Sequence, residues 1–304
     1  MAIISLSIGN IFTTDTPDEV FKMYHDCGLN GVDFGLDNFY NPWAVARGSK
    51  DGLFEKSWDE IIEFFRPYKE AGEKYGIAFH QLHAPFPAYM EGYPEMTEHM
   101  AKDVTVKAIR LCKYFGAKYI VVHPMFPPYD KKWEADDEWD KNIAFYSSLI
   151  EEARKADVII CLENMFTSRA RIYEAICADP NEAVAYVEEL NTIAGEHRFA
   201  FCYDTGHAYL VGHDVYSDLV RLGDVVEVLH IHDNDGMGDR HIPAYMGTLD
   251  FSRFIMGLKK IGYKGPINFE ASTVNRMFPK EVRPEAYKLI AATGRYFAKE
   301  IGLE

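Results

Sequence analysis

Short apolar runs rich in β-branched and aromatic residues alternate with longer stretches of helical periodicity along the whole chain. The runs AIISLSI (2–8), GVDFGL (31–36), IAFHQLHAPF (77–86), KYIVVHP (118–124), VIICLENMF (158–166), FAFCYDTGHAY (199–209), VVEVL (225–229) and PINFEAS (266–272) read as strands. Helices fill the intervals. Thr16, Pro17 and Glu19 form a capping-box start for a helix stopped by Gly28, and Ser57 with Glu60 starts one that runs toward Gly76. Pro67 is expected to kink or split that second helix. A helix near 97–115 places Met100, Val104, Ala108, Leu111 and Phe115 on one face before Gly116. Further helices are predicted near 136–155 and 181–195, shortly after His213, from Asp250 with Phe254, Leu258 and Ile261 inward, and from Pro284 to the C-terminus. Eight strand and helix pairs of roughly 30–40 residues each predict an α/β fold, a single (β/α)8 TIM barrel domain over residues 1–304.

Composition narrows the function. The 304 residues carry 47 acids against 32 bases, a formal charge of −15 without any Lys/Arg run, so extended binding to nucleic acid is disfavoured. Cys27, Cys112, Cys161, Cys177 and Cys202 are odd in number and sit mostly in apolar runs, as reduced thiols of a cytoplasmic protein do. The first residues lack a basic segment ahead of their apolar run, and no stretch approaches a membrane span.

The predicted strands end in chemistry. Strand three ends in His83, strand four in His123, strand five in Glu163 and Asn164, strand six in Asp204 and His207, and strand eight in Glu270. Strand seven runs straight into HIHDNDGMGDRH, with His230, His232, Asp239 and His241. Any one of these has an ordinary explanation, a solvated cap or a hydrogen-bonded core histidine. Six strand ends on the face where such barrels build active sites make the ordinary explanations jointly improbable. Glu163, Asp204, His232 and Glu270 come from consecutive staves and offer three carboxylates and one imidazole. That set suits one Mn²⁺, Mg²⁺ or Co²⁺ ion with open positions, with Zn²⁺ as a further candidate. Alternation along the strand points both His230 and His232 inward, so either can be the ligand.

CLEN (161–164), YDTGHA (203–208), HIHDND (230–235) and GTLDFSRFIMGLKKIGYKGPINFE (247–270) resemble the xylose isomerase-like barrel superfamily, in its sugar isomerase/epimerase and endonuclease IV branch. Similarity to the ketose 3-epimerases and hydroxypyruvate isomerases of that superfamily implies Glu163, Asp204, His232 and Glu270 as metal ligands. It also implies Glu163 and Glu270 as the acid/base pair and His207 and Arg240 as substrate contacts, with His83 and His123 beside them. Similarity to endonuclease IV implies a larger set, His83, His123, Glu163, Asp204, His207, His232, Asp239, His241 and Glu270, able to hold two or three metals.

The expected function is a metal-dependent sugar isomerase or epimerase that abstracts a proton next to a carbonyl through an enediolate, with phosphodiester hydrolysis, dehydration or carbon-glycoside cleavage as alternatives. Aromatic loops at DNFYNPW (37–43), PFPAYMEGY (85–93), PMFPPYDKKW (124–133) and AYM (244–246) suit the C–H face of a small sugar, or a homo-oligomer interface.

Overall fold

The computed structural model describes residues 2–9, 11–49, 52–128, 131–168 and 171–303. Eight parallel strands form the barrel: β1 (Ile4–Ser7), β2 (Gly31–Gly35), β3 (Ala78–His83), β4 (Tyr119–Val121), β5 (Ile159–Glu163), β6 (Phe199–Asp204), β7 (Val226–His230) and β8 (Ile267–Phe269). Each pairs with its sequence neighbour, and β8 pairs with β1. The last seam, between β7 and β8, is closed by one residue beyond the strand: Ile231 N–H donates to the Asn268 carbonyl at 2.9 Å, and Glu270 N–H donates to the Ile231 carbonyl at 2.9 Å. Barrel closure thus falls between His230 and His232.

The two-residue period of the strands explains why ligand-type side chains gather at the mouth. Val121, Ile159, Cys161, Ala200, Cys202 and Val228 pack together as a small-residue plug, separate from the larger core under the helices. Two residues further along their strands stand His123, Glu163, Asp204 and His230. Small apolar side chains fill the interior below, and the next inward layer carries the chemistry.

The helices start and stop where the local sequence directs. Thr16/Glu19 and Ser57/Glu60 both form complete capping boxes, and Asp250 caps the Phe251–Ile261 helix. Pro67 does not split its helix, which runs unbroken from Trp58 to Tyr75. It lies on the exposed face together with Glu63, whose carbonyl loses its donor and can be hydrated there. The helix expected near 97–115 starts earlier, at Pro94, and passes through a π-helical turn at Met100–Val104. The one expected near 136–155 is divided into Ala135–Ser147 and Ile150–Ala156. β6 stops at Asp204 rather than continuing to 209: the Asp204 carboxylate accepts the His207 N–H at 2.6 Å and starts a short helix, Thr205–Leu210. An antiparallel hairpin, Phe166–Ser168 with Ile172–Glu174, was not foreseen. Among the described residues no helix is long and apolar enough to cross a membrane.

Candidate metal centre and active site

Three groups of ligand-type side chains occupy the mouth, the candidate ligand atoms within each lying within 4.8 Å of one another. Glu163, Asp204, His230 and Glu270 form one, His83, His123 and Glu163 a second, and His207, His232, Asp239 and His241 a third. Glu163 belongs to two of them. Its Oε1 lies 3.0 Å from His230 Nδ1, and its Oε2 lies 3.2 Å from His123 Nε2 and 3.7 Å from His83 Nε2. Glu270 Oε2 is 3.5 Å from both His230 Nδ1 and His241 Nδ1. Asp204 is 3.0 Å from His232 Nε2, which ties the first group to the third.

The motifs fix this geometry through the backbone. Asn164 locks β5 to β6: its Nδ2 donates to the Asp204 carbonyl at 2.9 Å, and its Oδ1 accepts the Asp204 N–H at 2.8 Å. The Thr205 hydroxyl donates to the His232 carbonyl at 2.8 Å and accepts the His232 N–H at 3.1 Å. Gly206 is required by crowding rather than by its φ, since a Cβ there would lie 1.9 Å from the His232 ring. Asp233 accepts the Gly247 and Leu249 N–H groups at 2.8 and 3.0 Å, which makes HDND and GTL halves of one structural clasp. His241 adopts φ +46°, a left-handed conformation uncommon for a residue with a Cβ. In that position its Nε2 meets Asp239 at 2.6 Å.

Crowding sets the protonation preferences. Burial disfavours charge on Glu163, yet His230, His123 and His83 around it hold it well below the usual carboxylate range. Glu270 moves the other way, pushed up by burial and by the Asp204 and Glu163 charges despite His230 and His241. His83 and His123 stand Nε2 to Nε2 at 3.1 Å and divide sharply. Burial pulls both down, but Glu163 and Asp37 raise His83 to about 9, while His123, facing a charged His83, falls to about 4. Burial likewise opposes charge on His207 and His230, and the surrounding carboxylates more than reverse it. His241 is raised to about 10 by Glu270 and Asp239 against the same penalty.

A profile described as xylose isomerase-like TIM barrel matches residues 21–292. The chain belongs to that family. An uncharacterized protein of Methanocaldococcus jannaschii is 26% identical over 219 residues, 69% of this chain and 70% of that protein. A probable endonuclease 4 of Mycoplasma pneumoniae is 25% identical over 226 residues, 70% of this chain and 75% of its own length. Among solved structures, a 3-keto-D-glucoside 4-epimerase from E. coli superposes with TM-score 0.69 at 16% identity, covering 97% of this chain and 100% of that one. A D-tagatose 3-epimerase-like protein gives 0.65 at 19% identity, covering 96% and 99%. At these identities the structural likeness establishes the shared fold.

Two of the expected site residues, His232 and Arg240, stand apart from the group that contains Glu163, Asp204 and Glu270. The histidine grouped with Glu163, Asp204 and Glu270 is His230, whereas His232 stands with His207, Asp239 and His241. Arg240, expected at the substrate, points away: its Nε donates to Asp235 at 2.9 Å on the surface, and its side chain is half exposed. Asp33 went unnoticed as a site residue. It is fully buried on β2, with Oδ2 3.1 Å from His230 Nε2 and accepting from Asn268 at 3.1 Å. Its signal was an acid inside an apolar strand, GVDFGL, which must be desolvated for a reason.

The first group fits a divalent cation. It offers three carboxylates and one imidazole, and Glu163 Oε2 and Glu270 Oε2 are buried without a well-formed hydrogen bond inside the protein. Beside it opens a pocket of about 320 Å³ between the ends of β1, β2 and β8, with His83, Phe86, His241 and Glu270 in its wall. A larger cleft of about 930 Å³, between the loop around Trp133 and the hairpin around Tyr173, contains none of the clustered ligands. The smaller pocket is therefore the one tied to the chemistry. Of the aromatic loops, Phe86 reaches the mouth, its ring centroid 4.6 Å from that of His123, while Tyr245 packs on Phe251 and Phe297. Tyr129 and Asp130 of the 124–133 loop lie outside the described residues.

Proposed function

We propose that this chain is a divalent-metal-dependent sugar isomerase or epimerase that moves a proton at a carbon next to a carbonyl. The observation that carries the reading is the pair Glu163 and Glu270: two carboxylates of one ligand group whose surroundings push their proton affinities in opposite directions. Glu163, kept ionised by three imidazoles, is suited to take the proton. Glu270, which holds a proton more readily, is suited to return one. Glu163, Asp204, Glu270 and His230, in place of the expected His232, would hold the metal, which when bound supplies a Lewis acid that polarises the substrate carbonyl. His207, whose Nδ1 donates to the Asn164 carbonyl at 2.9 Å, presents Nε2 toward Asp239 and the mouth, where it can hold a substrate oxygen. The pocket is of single-sugar size, at the lower end of the ~300–1,000 Å³ usual for small-molecule sites. The sugar epimerases among the structural neighbours and the formal charge of −15 support a small substrate over a polyanion.

Proton abstraction in deuterated water is the direct test. Incubated with Mn²⁺ and a panel of ketoses, the protein should wash deuterium into the carbon beside the carbonyl. Glu163→Gln and Glu270→Gln should each slow this at least ~10²-fold while the fold is retained. Near-normal exchange in either variant would sink the assignment.

A second reading rests on the other two ligand groups. Three groups bridged by Glu163 and Asp204 can hold three metals, and similarity to a probable endonuclease 4 points the same way. About three zinc ions per purified chain, with cleavage of a phosphodiester and no exchange at carbon, would favour hydrolysis.

A further inference from the structure

The 320 Å³ pocket has two distinct parts, and they identify the far end of the substrate. Its inner wall is polar: beside His83 and His241, Ser7, Asp33 and Glu270 each carry a buried oxygen that forms no hydrogen bond within the protein, namely Ser7 Oγ, Asp33 Oδ1 and Glu270 Oε2. Polar atoms in such a place are costly unless something completes them, and sugar hydroxyls both donate and accept. The rim is different. Arg276, exposed on the turn after β8, lines the same pocket and makes no ion pair among the described residues. The acids nearest the pocket floor have other commitments, Asp33 to His230 and Asn268, and Glu270 to His230 and His241. The guanidinium expected at the substrate, Arg240, is held by Asp235, and among the described residues Arg276 is the one Arg or Lys that lines this pocket.

We propose that Arg276 selects a sugar acid, binding a carboxylate at the end of the substrate remote from the reacting carbon while the wall around Ser7 reads hydroxyls. This rests on the sugar-isomerase reading and names its substrate class. A planar guanidinium presents two parallel N–H donors that match a carboxylate. The family resemblance implied Arg240 as a substrate contact. The turn that follows β8 instead carries Arg276 to the pocket.

The test is selectivity in binding, measured calorimetrically on the Mn²⁺-loaded protein with D-fructose and D-fructuronate, which differ only in the oxidation state of the terminal carbon. The wild type should bind the acid at least ~10-fold more tightly than the neutral sugar. Arg276→Met should shift the ratio of the two dissociation constants by ~10-fold or more toward the neutral sugar, and Arg276→Lys by less, because one ammonium cannot form the paired contact. Ser7→Ala should weaken both sugars together and leave the ratio in place. No preference for the acid in the wild type, no binding of it, or a ratio unmoved by Arg276→Met overturns the proposal. Binding selectivity is read without turnover, so failure here is distinct from failure of deuterium exchange, which bears on the isomerase reading itself.

Discussion

Replacing Gly206 by alanine is the sharpest probe of the way DTGH builds the site. A Cβ at this position would stand 1.9 Å from His232 Cε1, 2.4 Å from Nδ1 and 2.5 Å from Nε2, all inside any real contact distance. His232 is fully buried, its ring stacks on His241 at 4.3 Å, and its backbone is clamped by Thr205, so the ring has little room to retreat. Overpacking of this kind costs about 1–3 kcal/mol. Moving the ring also breaks the 3.0 Å contact with Asp204, and a lost hydrogen bond to a charged group costs a further ~1.5–3 kcal/mol. The combined loss of roughly 2.5–6 kcal/mol should lower the melting temperature by about 5–18 °C at ~2–3 °C per kcal/mol. Metal affinity should drop ~10–100-fold as Asp204 loses its orienting partner. Gly238→Ala is the control: its nearest neighbour is Arg240 at an ordinary 3.6 Å, so stability should change by no more than ~0.5 kcal/mol. Calorimetry and metal titration on both variants decide the matter. A Gly206→Ala protein as stable and as metal-avid as Gly238→Ala would refute the close approach.

Metal binding at pH 7 should release a proton, because His230, held well above its ordinary value by the charges around it despite burial, carries one in the metal-free chain and a ligating imidazole must be neutral. Titration calorimetry in two buffers of different ionisation heat should read about one proton released per metal, with apparent affinity rising as the pH rises from about 6 to 8; zero release would contradict the assigned groups. Acid stability should depend on Asp15. Burial opposes its charge, but Lys280 and Thr14 hydrogen bonds, with Arg283 nearby, lower its pKa. A depressed carboxylate stabilises the fold above the unfolded value near 3.8 and loses that contribution as pH falls through the folded one. Asp15→Asn should therefore melt a few degrees lower at pH 7, with the gap closing below pH ~3; an unchanged gap there would disprove the linkage.

The barrel was legible because its two periodicities are local properties. Every predicted strand is present, and the capping boxes at Thr16 and Ser57 formed as their spacing implies. What escaped depended on contacts between distant segments. Pro67 is harmless because its helix turns that face to solvent, a tertiary fact no local rule contains. Whether His230 or His232 joins Glu163 could not follow from alternation, since both point inward; it is decided by Ile231, which bonds to β8 on both sides and leaves the two imidazoles in different groups. The pairing of Arg240 has a related cause. Its position after His232 was readable, but the loop from Asp235 onward turns back on itself, so Asp235 captures the guanidinium before it can reach the mouth. Asp33 was hidden by its strand's apolar character, although that same character made its charge conspicuous.

One arrangement of ligands can serve both kinds of relative, and the reason lies in Glu163. Its two oxygens face different imidazoles, so a cation on one side leaves the other oxygen near His83 and His123. With the His83–His123 group metal-free, its proton sits on His83 and that side of the mouth is a hydrogen-bonding wall for a sugar. Were a metal held there as well by His83, His123 and Glu163, the carboxylate would no longer be free as a base, and the chemistry the metals would supply is activation of water. On the two proposed readings, the reaction of this chain would depend on how many of the three groups fill. The −15 charge and the small pocket are the features that support the proposed compact substrate over a duplex.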